Sequence, residues 1–313
     1  MKKIVCCVLA VLCASSMLFA AGGQEAEAAA MTDEGDWRAQ YPEITLSEIS
    51  SENEADRIAR VEPFIAYLEK ELGVKVKFHV TSDYAGTIEG MKAKKVQLAR
   101  FGSKSYAEAW IVTHGNVEPL VVGVDNYDST GYHSVIVVLN DSPYKSVDDL
   151  KGKNFGFADP NSTSGFLVPT FFLRKAGKDP DEFFGTTGFS GSHENGVLAL
   201  KKGTFDAVPT WWNNDSYNNL SRMAGKGMIN IDDYRIVWKS PLIPSGPYAC
   251  LADLPQEMKD DLRQALLDLP KKDPELFKAY TSGGSKGYIA VKHERWQDII
   301  DMRNAELEQR KAK

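Results

Sequence analysis

Three hydroxyl residues in a row, Ser162-Thr163-Ser164, lie between Asp159-Pro160-Asn161 and Gly165. The residues before them read as a strand (154–157) and those after them as a helix (165–176). The hydroxyls therefore sit at a helix N-terminus, where unsatisfied N–H groups and about +0.5 of a charge are presented. One hydroxyl would suffice as a helix cap. Three are in excess, and they can donate to a small anion such as a phosphoryl group without help from Arg or Lys. Gly165 would let that ligand approach the backbone.

His193, in Gly191-Ser192-His193-Glu194, opens another helix. There it can donate to an anion oxygen, which would favour its charged form; a solvated loop histidine is the plainer alternative. Tyr84, in Thr81-Ser82-Asp83-Tyr84-Ala85-Gly86, falls between a strand end and a helix start, and Tyr132 falls in Gly131-Tyr132-His133-Ser134. Phenols at such places either donate to oxyanions or pack in the core. Tyr106, at a loop–helix junction, is a weaker candidate. Two catalytic signatures are missing: the chain has no P-loop with its Lys and no His-Glu-x-x-His. A hydrolase would need a base beside Ser162, and His193 is the one on offer. His79, His114, His133 and His293 have no Cys or His at ligand spacing, so neither a metal nor a cofactor is expected. The reading is a binder, not an enzyme.

The elements that must position these groups alternate. Residues 44–46 read as a short strand. Ile58, Val61, Ile65, Leu68 and Leu72 mark one face of a helix that Gly73 stops. Val74, Val76, Phe78 and Val80 alternate with polar residues as a strand. A helix at 87–94 and a strand at 96–99 follow. A second unit opens with the apolar run 135–138. A short helix follows, capped by Ser146 with Asp149 in a capping box, and then the hydroxyl loop. Strands are expected at 205–208 and 235–238, and the tail from Pro255 is helical. β-α-β alternation argues for α/β architecture with parallel strands. Two lobes result, 41–133 plus 239–313 and the inserted 134–238. Chain crossings near 132–134 and 238–240 serve as a two-strand hinge. Ligands of open α/β sheets sit outside the carboxyl ends of the strands, which here face a shared cleft.

The 313 residues, 43% hydrophobic and 26% charged, exclude a disordered or low-complexity chain and suit about two domains. A net charge of -6 without a basic block argues against nucleic acid. Lys2 and Lys3, the uncharged run 4–21 and the small residues after it have the order of a secretory signal peptide, expected over 1–22. Residues 23–40 read as a flexible leader. Of four cysteines, Cys6, Cys7 and Cys13 fall in the signal, leaving Cys250 and no internal disulfide. A periplasmic, monomeric product is expected.

Together, Asp83-Tyr84-Ala85-Gly86, residues 159–169 (DPNSTSGFLVP), Ser192-His193-Glu194 and residues 238–244 (WKSPLIP) resemble the phosphonate-binding periplasmic proteins, PhnD-type substrate-binding components of phosphate, phosphite and phosphonate ABC importers. The resemblance implies a type II periplasmic-binding-protein fold that captures a phosphonate-like anion between its lobes for a permease in the inner membrane; ligand sensing by the same fold is the alternative. It implies that Tyr84, Tyr132, Ser162, Thr163, Ser164 and His193 hold the phosphoryl oxygens. Two positions depart from the aminoethylphosphonate binders, which carry acids where this chain has Asn213 and Gly246. Asp215 is near enough in sequence to substitute. Trp211 and Trp212 enter the same loop and can form a cation-π wall for a quaternary ammonium group, or can pack in the core.

Overall fold

The computed structural model describes residues 35–311, so the expected signal peptide and most of the leader lie outside the described residues. The leader's end is part of the fold. Trp37–Gln40 is a helix, Trp37 is buried, and its indole Nε1–H donates to Asp261 at 2.9 Å. A lone tryptophan in a small-residue stretch was the signal that the leader stops before it.

A six-stranded sheet has the order β12-β4-β11-β3-β1-β2. Its members are β1 (Glu43–Glu48), β2 (Lys75–His79), β3 (Leu98–Arg100), β4 (Val117–Val124), β11 (Tyr248–Leu251) and β12 (Gly287–Ala290). β1 runs parallel to β2 and β3, while β11 is antiparallel to both β3 and β4. Hence β1, β3 and β4 point the same way, and Glu48, Arg100 and Asp125 gather at one edge. The helix Glu54–Leu72 packs on this sheet. Its buried face is Val61, Phe64, Leu68 and Leu72, whereas Ile58 is exposed. Gly73 takes φ +70° and its N–H closes on the Glu69 carbonyl, the left-handed cap expected of it.

The other strands build smaller sheets. β5 (Gly131–Leu139) pairs antiparallel with β8 (Val208–Trp212), β9 (Tyr234–Lys239) and β10 (Ile243–Pro244), and β6 (Asn154–Phe157) pairs parallel with β7 (Thr186–Phe189). Their apolar side chains form two clusters, one around Val135, Val197 and Val208 and one around Phe155, Phe157 and Phe166, apart from the large cluster of the six-stranded sheet. The architecture is that of a two-lobe α/β protein. β5 and β9 run side by side where the chain passes between the sheets, and Ser240 N–H donates to the Ser134 carbonyl at 2.8 Å.

One local expectation fails. Asp149 does not complete a capping box over a helix begun by Ser146. It accepts from the amides of Lys145 and Ser146 and tightens a single 3₁₀ turn, Asp148–Leu150. Among the described residues no helix is long and apolar enough to cross a membrane.

Candidate functional site

The hydroxyl run forms a cradle. Ser162 is the N-cap, its Oγ accepting from Gly165 N–H at 3.0 Å. Thr163–Leu167 then winds as a π-turn, with Leu167 N–H reaching the Ser162 carbonyl at 3.1 Å, before the α-helix Val168–Lys175. Such wide turns recur at functional sites. Here the turn puts three successive hydroxyls on one buried surface. Gly165 serves packing and not ligand approach. A Cβ there would lie 2.4 Å from Ala158 Cβ and 2.9 Å from His193 Cε1, so glycine lets the turn seat against its supports.

Ser162, Thr163, Ser164, His193, Tyr84 and Tyr132 all line one cavity of about 210 Å³. That is below the 300–1,000 Å³ range of ligand pockets and suits a small ion. Ser192 caps the helix His193–Lys201 by accepting from Asn195 N–H, which fixes His193 at its first position. The imidazole Nε2 lies 3.2 Å from Ser162 Oγ and Nδ1 lies 3.3 Å from Thr210 Oγ1. Burial, helped by the Arg222 charge, pushes its pKa down to about 3. Without an anion the ring is therefore neutral at pH 7; the charged form is expected of the anion-bound state. On the opposite side Asp83 caps the helix Tyr84–Lys92, accepting from Gly86 N–H at 2.9 Å, and so sets Tyr84. Tyr84 approaches Ser162, and Tyr132 approaches Thr163 and Ser164. Burial raises the pKa of both phenols, leaving them protonated donors.

The facing wall is charged, and sequence reading missed it. Glu48, Arg100, Asp125, Arg222, Tyr217, Tyr248 and Tyr288 line the same cavity. Glu48 is held by Arg60 Nη2 at 2.7 Å and by the Tyr280 hydroxyl, which Tyr248 joins in turn. Arg100 Nη1 stands 3.8 Å from Glu48. Asp125 Oδ1 accepts from the amides of Tyr127 and Ser129. Arg222 lies within 3.5 Å of both Glu52 and Glu194. The cavity as a whole thus holds formal cations, while the Ser162–Ser164 cradle offers neutral donors. The available signal was topological: Glu48 and Arg100 close parallel strands, but the sequence reading ended those strands at Leu46 and Ala99 and did not find β4.

The secondary candidates divide. Trp211 and Asn213 line the cavity. Side chains alternate along β8, so Trp212 turns away and packs on the cluster with Val208. The Arg222 guanidinium sits over the Trp211 ring at 5.1 Å, so the cation there is the protein's own and a two-tryptophan wall does not form. Asp215 is an exposed turn residue whose carbonyl accepts from Asn218, and it does not replace an acid at Asn213. Gly246 has no room for a carboxylate, because a Cβ would lie 2.0 Å from the Phe101 carbonyl oxygen. Tyr106 is core. Its hydroxyl pairs with His293 Nδ1 at 2.7 Å, and its ring packs on Trp296. A larger, more open groove between the helices Glu54–Leu72 and Pro274–Tyr280 contains none of the six primary residues. Among the described residues no three His, Cys, Asp or Glu side chains are grouped to hold a metal.

Comparison with known proteins identifies the family. Residues 46–296 match the family described as "ABC transporter, phosphonate, periplasmic substrate-binding protein". The phosphonates-binding periplasmic protein of Escherichia coli is 34% identical over 240 residues, covering 75% of this chain and 69% of that one. The phosphate-import protein PhnD of Mycolicibacterium smegmatis is 36% identical over 232 residues, 71% of each chain. A solved binding-protein component of an ABC phosphonate transporter from Pseudomonas aeruginosa superposes with a TM-score of 0.73 at 28% identity, covering 84% of this chain and 85% of that one. The chain belongs to the phosphonate family of periplasmic substrate-binding proteins of ABC transporters.

Proposed function

We propose that this chain captures a small phosphonate-like oxyanion in the cavity and delivers it to an ABC permease of the inner membrane. One observation carries the reading: six residues drawn from four separate segments converge on one cavity at a capped helix N-terminus. The names of its relatives, which bind phosphonates or import phosphate, support it. Tyr84 and Tyr132 donate from one side, and the Ser162–Ser164 hydroxyls and helix amides donate from the other. Hydrogen bonds to an ionised acceptor are about twice as strong as neutral ones, and the buried setting reduces competition from water.

Contacts between segments of the two lobes support a shut cleft. Lys104 N–H donates to Thr163 Oγ1 at 2.8 Å, and Asn53 N–H donates to Glu194 at 2.9 Å. Ligand would shift the population toward this form by hinge closure about the β5 and β9 crossings, with 41–133 plus 239–313 moving against 134–238. The reading is binding without bond cleavage. With a pKa near 3, His193 is too weak a base to activate Ser162 at neutral pH. Export through a cleaved 1–22 leader and action as a monomer in the periplasm complete the proposal.

A thermal-shift series with phosphate, phosphite, methylphosphonate and 2-aminoethylphosphonate tests it. A tight ligand at about 100 times its Kd adds about 2.7 kcal/mol of stability and raises Tm by several degrees. No shift with any of the four would refute the reading.

A further inference from the structure

Among the described residues, one cation of the charged wall, Arg100, has no carboxylate within 3.5 Å. Glu48 is satisfied by Arg60 at 2.7 Å and by the Tyr280 hydroxyl. Arg57 is spent on the backbone carbonyls of Glu48 and Thr81. Arg222 and Lys226 answer Glu52 and Glu194. Arg100 remains. Its one ion-pair neighbour among the described residues is Glu48 at 3.8 Å, beyond hydrogen-bond reach, and its side chain is 41% accessible while lining the cavity. Tyr248, its register partner on the next strand, gives its O–H to Tyr280, which leaves the guanidinium as the free donor there. A guanidinium fork with unused N–H groups matches a carboxylate in bidentate geometry. Asn213 and Gly246, on the same lining, bring no negative charge to oppose it.

We propose that Arg100 forms a second subsite that selects phosphonates carrying a carboxylate, so that the ligand is anionic at both ends. This deepens the proposed function and rests on the phosphoryl end occupying the hydroxyl cradle. Asp125, on the same wall, sets the competing expectation, since a carboxylate there would favour an ammonium group.

Calorimetry with phosphonoformate, phosphonoacetate, 3-phosphonopropionate, methylphosphonate and 2-aminoethylphosphonate decides between them. Wild-type protein should bind at least one phosphonocarboxylate about tenfold or more tighter than methylphosphonate, as a charge-assisted pair allows. In Arg100→Gln that ratio should fall below about threefold, and Arg100→Lys should restore part of it. The inference is overturned if no phosphonocarboxylate outranks methylphosphonate, or if 2-aminoethylphosphonate ranks first. It is also overturned if Arg100→Gln weakens methylphosphonate and the phosphonocarboxylate by the same factor. The wild-type ranking needs no variant to fold. Should methylphosphonate and phosphate also fail to bind wild-type protein, the function reading itself fails, and that outcome is distinct from a binding series ranked the wrong way.

Discussion

The two walls of the cavity solve the problem of a buried polar surface in opposite ways. The Ser162–Ser164 wall is neutral: hydroxyls, amides and an uncharged imidazole, supported by Gly165, Ala158 and Thr210. The Glu48 wall is ionic, and most of its charges are already consumed by one another. Neutral donors that bond to one another cost less than charges to keep unliganded, so they can wait for an anion. Buried charges are tolerable only when paired, so they are committed to shape. The contrast predicts that damage to the ionic wall shows first in stability, and damage to the hydroxyl wall shows first in affinity.

The largest effect should come from Arg60→Ala. It leaves Glu48, 2% exposed, without its 2.7 Å partner. Removing one member of a buried pair costs about 3–5 kcal/mol, so Tm should drop by roughly 10 °C. A drop under about 2 °C would mean that the Tyr280 hydroxyl alone satisfies Glu48. Next is Thr163→Ala combined with Ser164→Ala. Two hydrogen bonds to an ionised acceptor are lost at about 1.5–3 kcal/mol each. Calorimetry should therefore show phosphonate affinity weakened by about 100-fold or more, with unliganded Tm lowered by only a few degrees. Unchanged affinity would remove the cradle from the mechanism. Gly165→Ala sits between the two cases, because a Cβ has no space there. Overpacking of about 1–3 kcal/mol should lower both Tm and affinity, and loss of neither would show that the turn can yield.

Much of the neutral wall was legible because its signal is local. A strand, a polar loop with three hydroxyls and a helix are consecutive in sequence, and Ser192-His193-Glu194 announces a second cap in the same way. The ionic wall was not legible for the converse reason. Glu48, Arg100 and Asp125 are far apart in sequence and meet because β1, β3 and β4 end together. Reading those strands two residues short at Glu48 and one short at Arg100 hid both side chains. Periodicity chose Ile58 for the helix face and passed over Phe64, whereas Ile58 is exposed and the core took Phe64. A 3.6-residue period leaves a one-position ambiguity where several apolar residues compete. Trp211 and Trp212 were read as one loop, and the alternation of a strand separated them.

His193 offers a finer test of neutrality. Its folded pKa of about 3 lies below the unfolded value near 6.5. Between those values the unfolded chain binds a proton that the native state refuses, so stability must fall as pH drops through that window. His193→Gln should flatten part of the fall in Tm between pH 7 and 4.5. Equal slopes for variant and wild type would mean that the ring is protonated in the fold, with its partners rearranged around a cation.

The smallest effect belongs to the rim, where the two strategies meet. Lys226 Nζ reaches Asp56 at 2.8 Å on the helix Glu54–Leu72 and Glu194 at 2.9 Å on the helix His193–Lys201, so a single ammonium bridges the two helices. Unlike Arg60, its side chain is 27% accessible, and Asp56 is more exposed still. Solvent screening limits the Asp56 pair to about 0–1 kcal/mol, and Arg222 at 3.5 Å remains to answer the buried Glu52 and Glu194. Lys226→Ala should weaken ligand binding by about two- to fivefold at low salt, through a less favoured closed form, and Tm should barely move. The deficit should shrink as ionic strength rises, because exposed charges are screened within about 10 Å at 0.1 M salt. A deficit that persists at high salt would place Lys226 with the buried ionic wall, and a deficit of 100-fold would make it part of the ligand site.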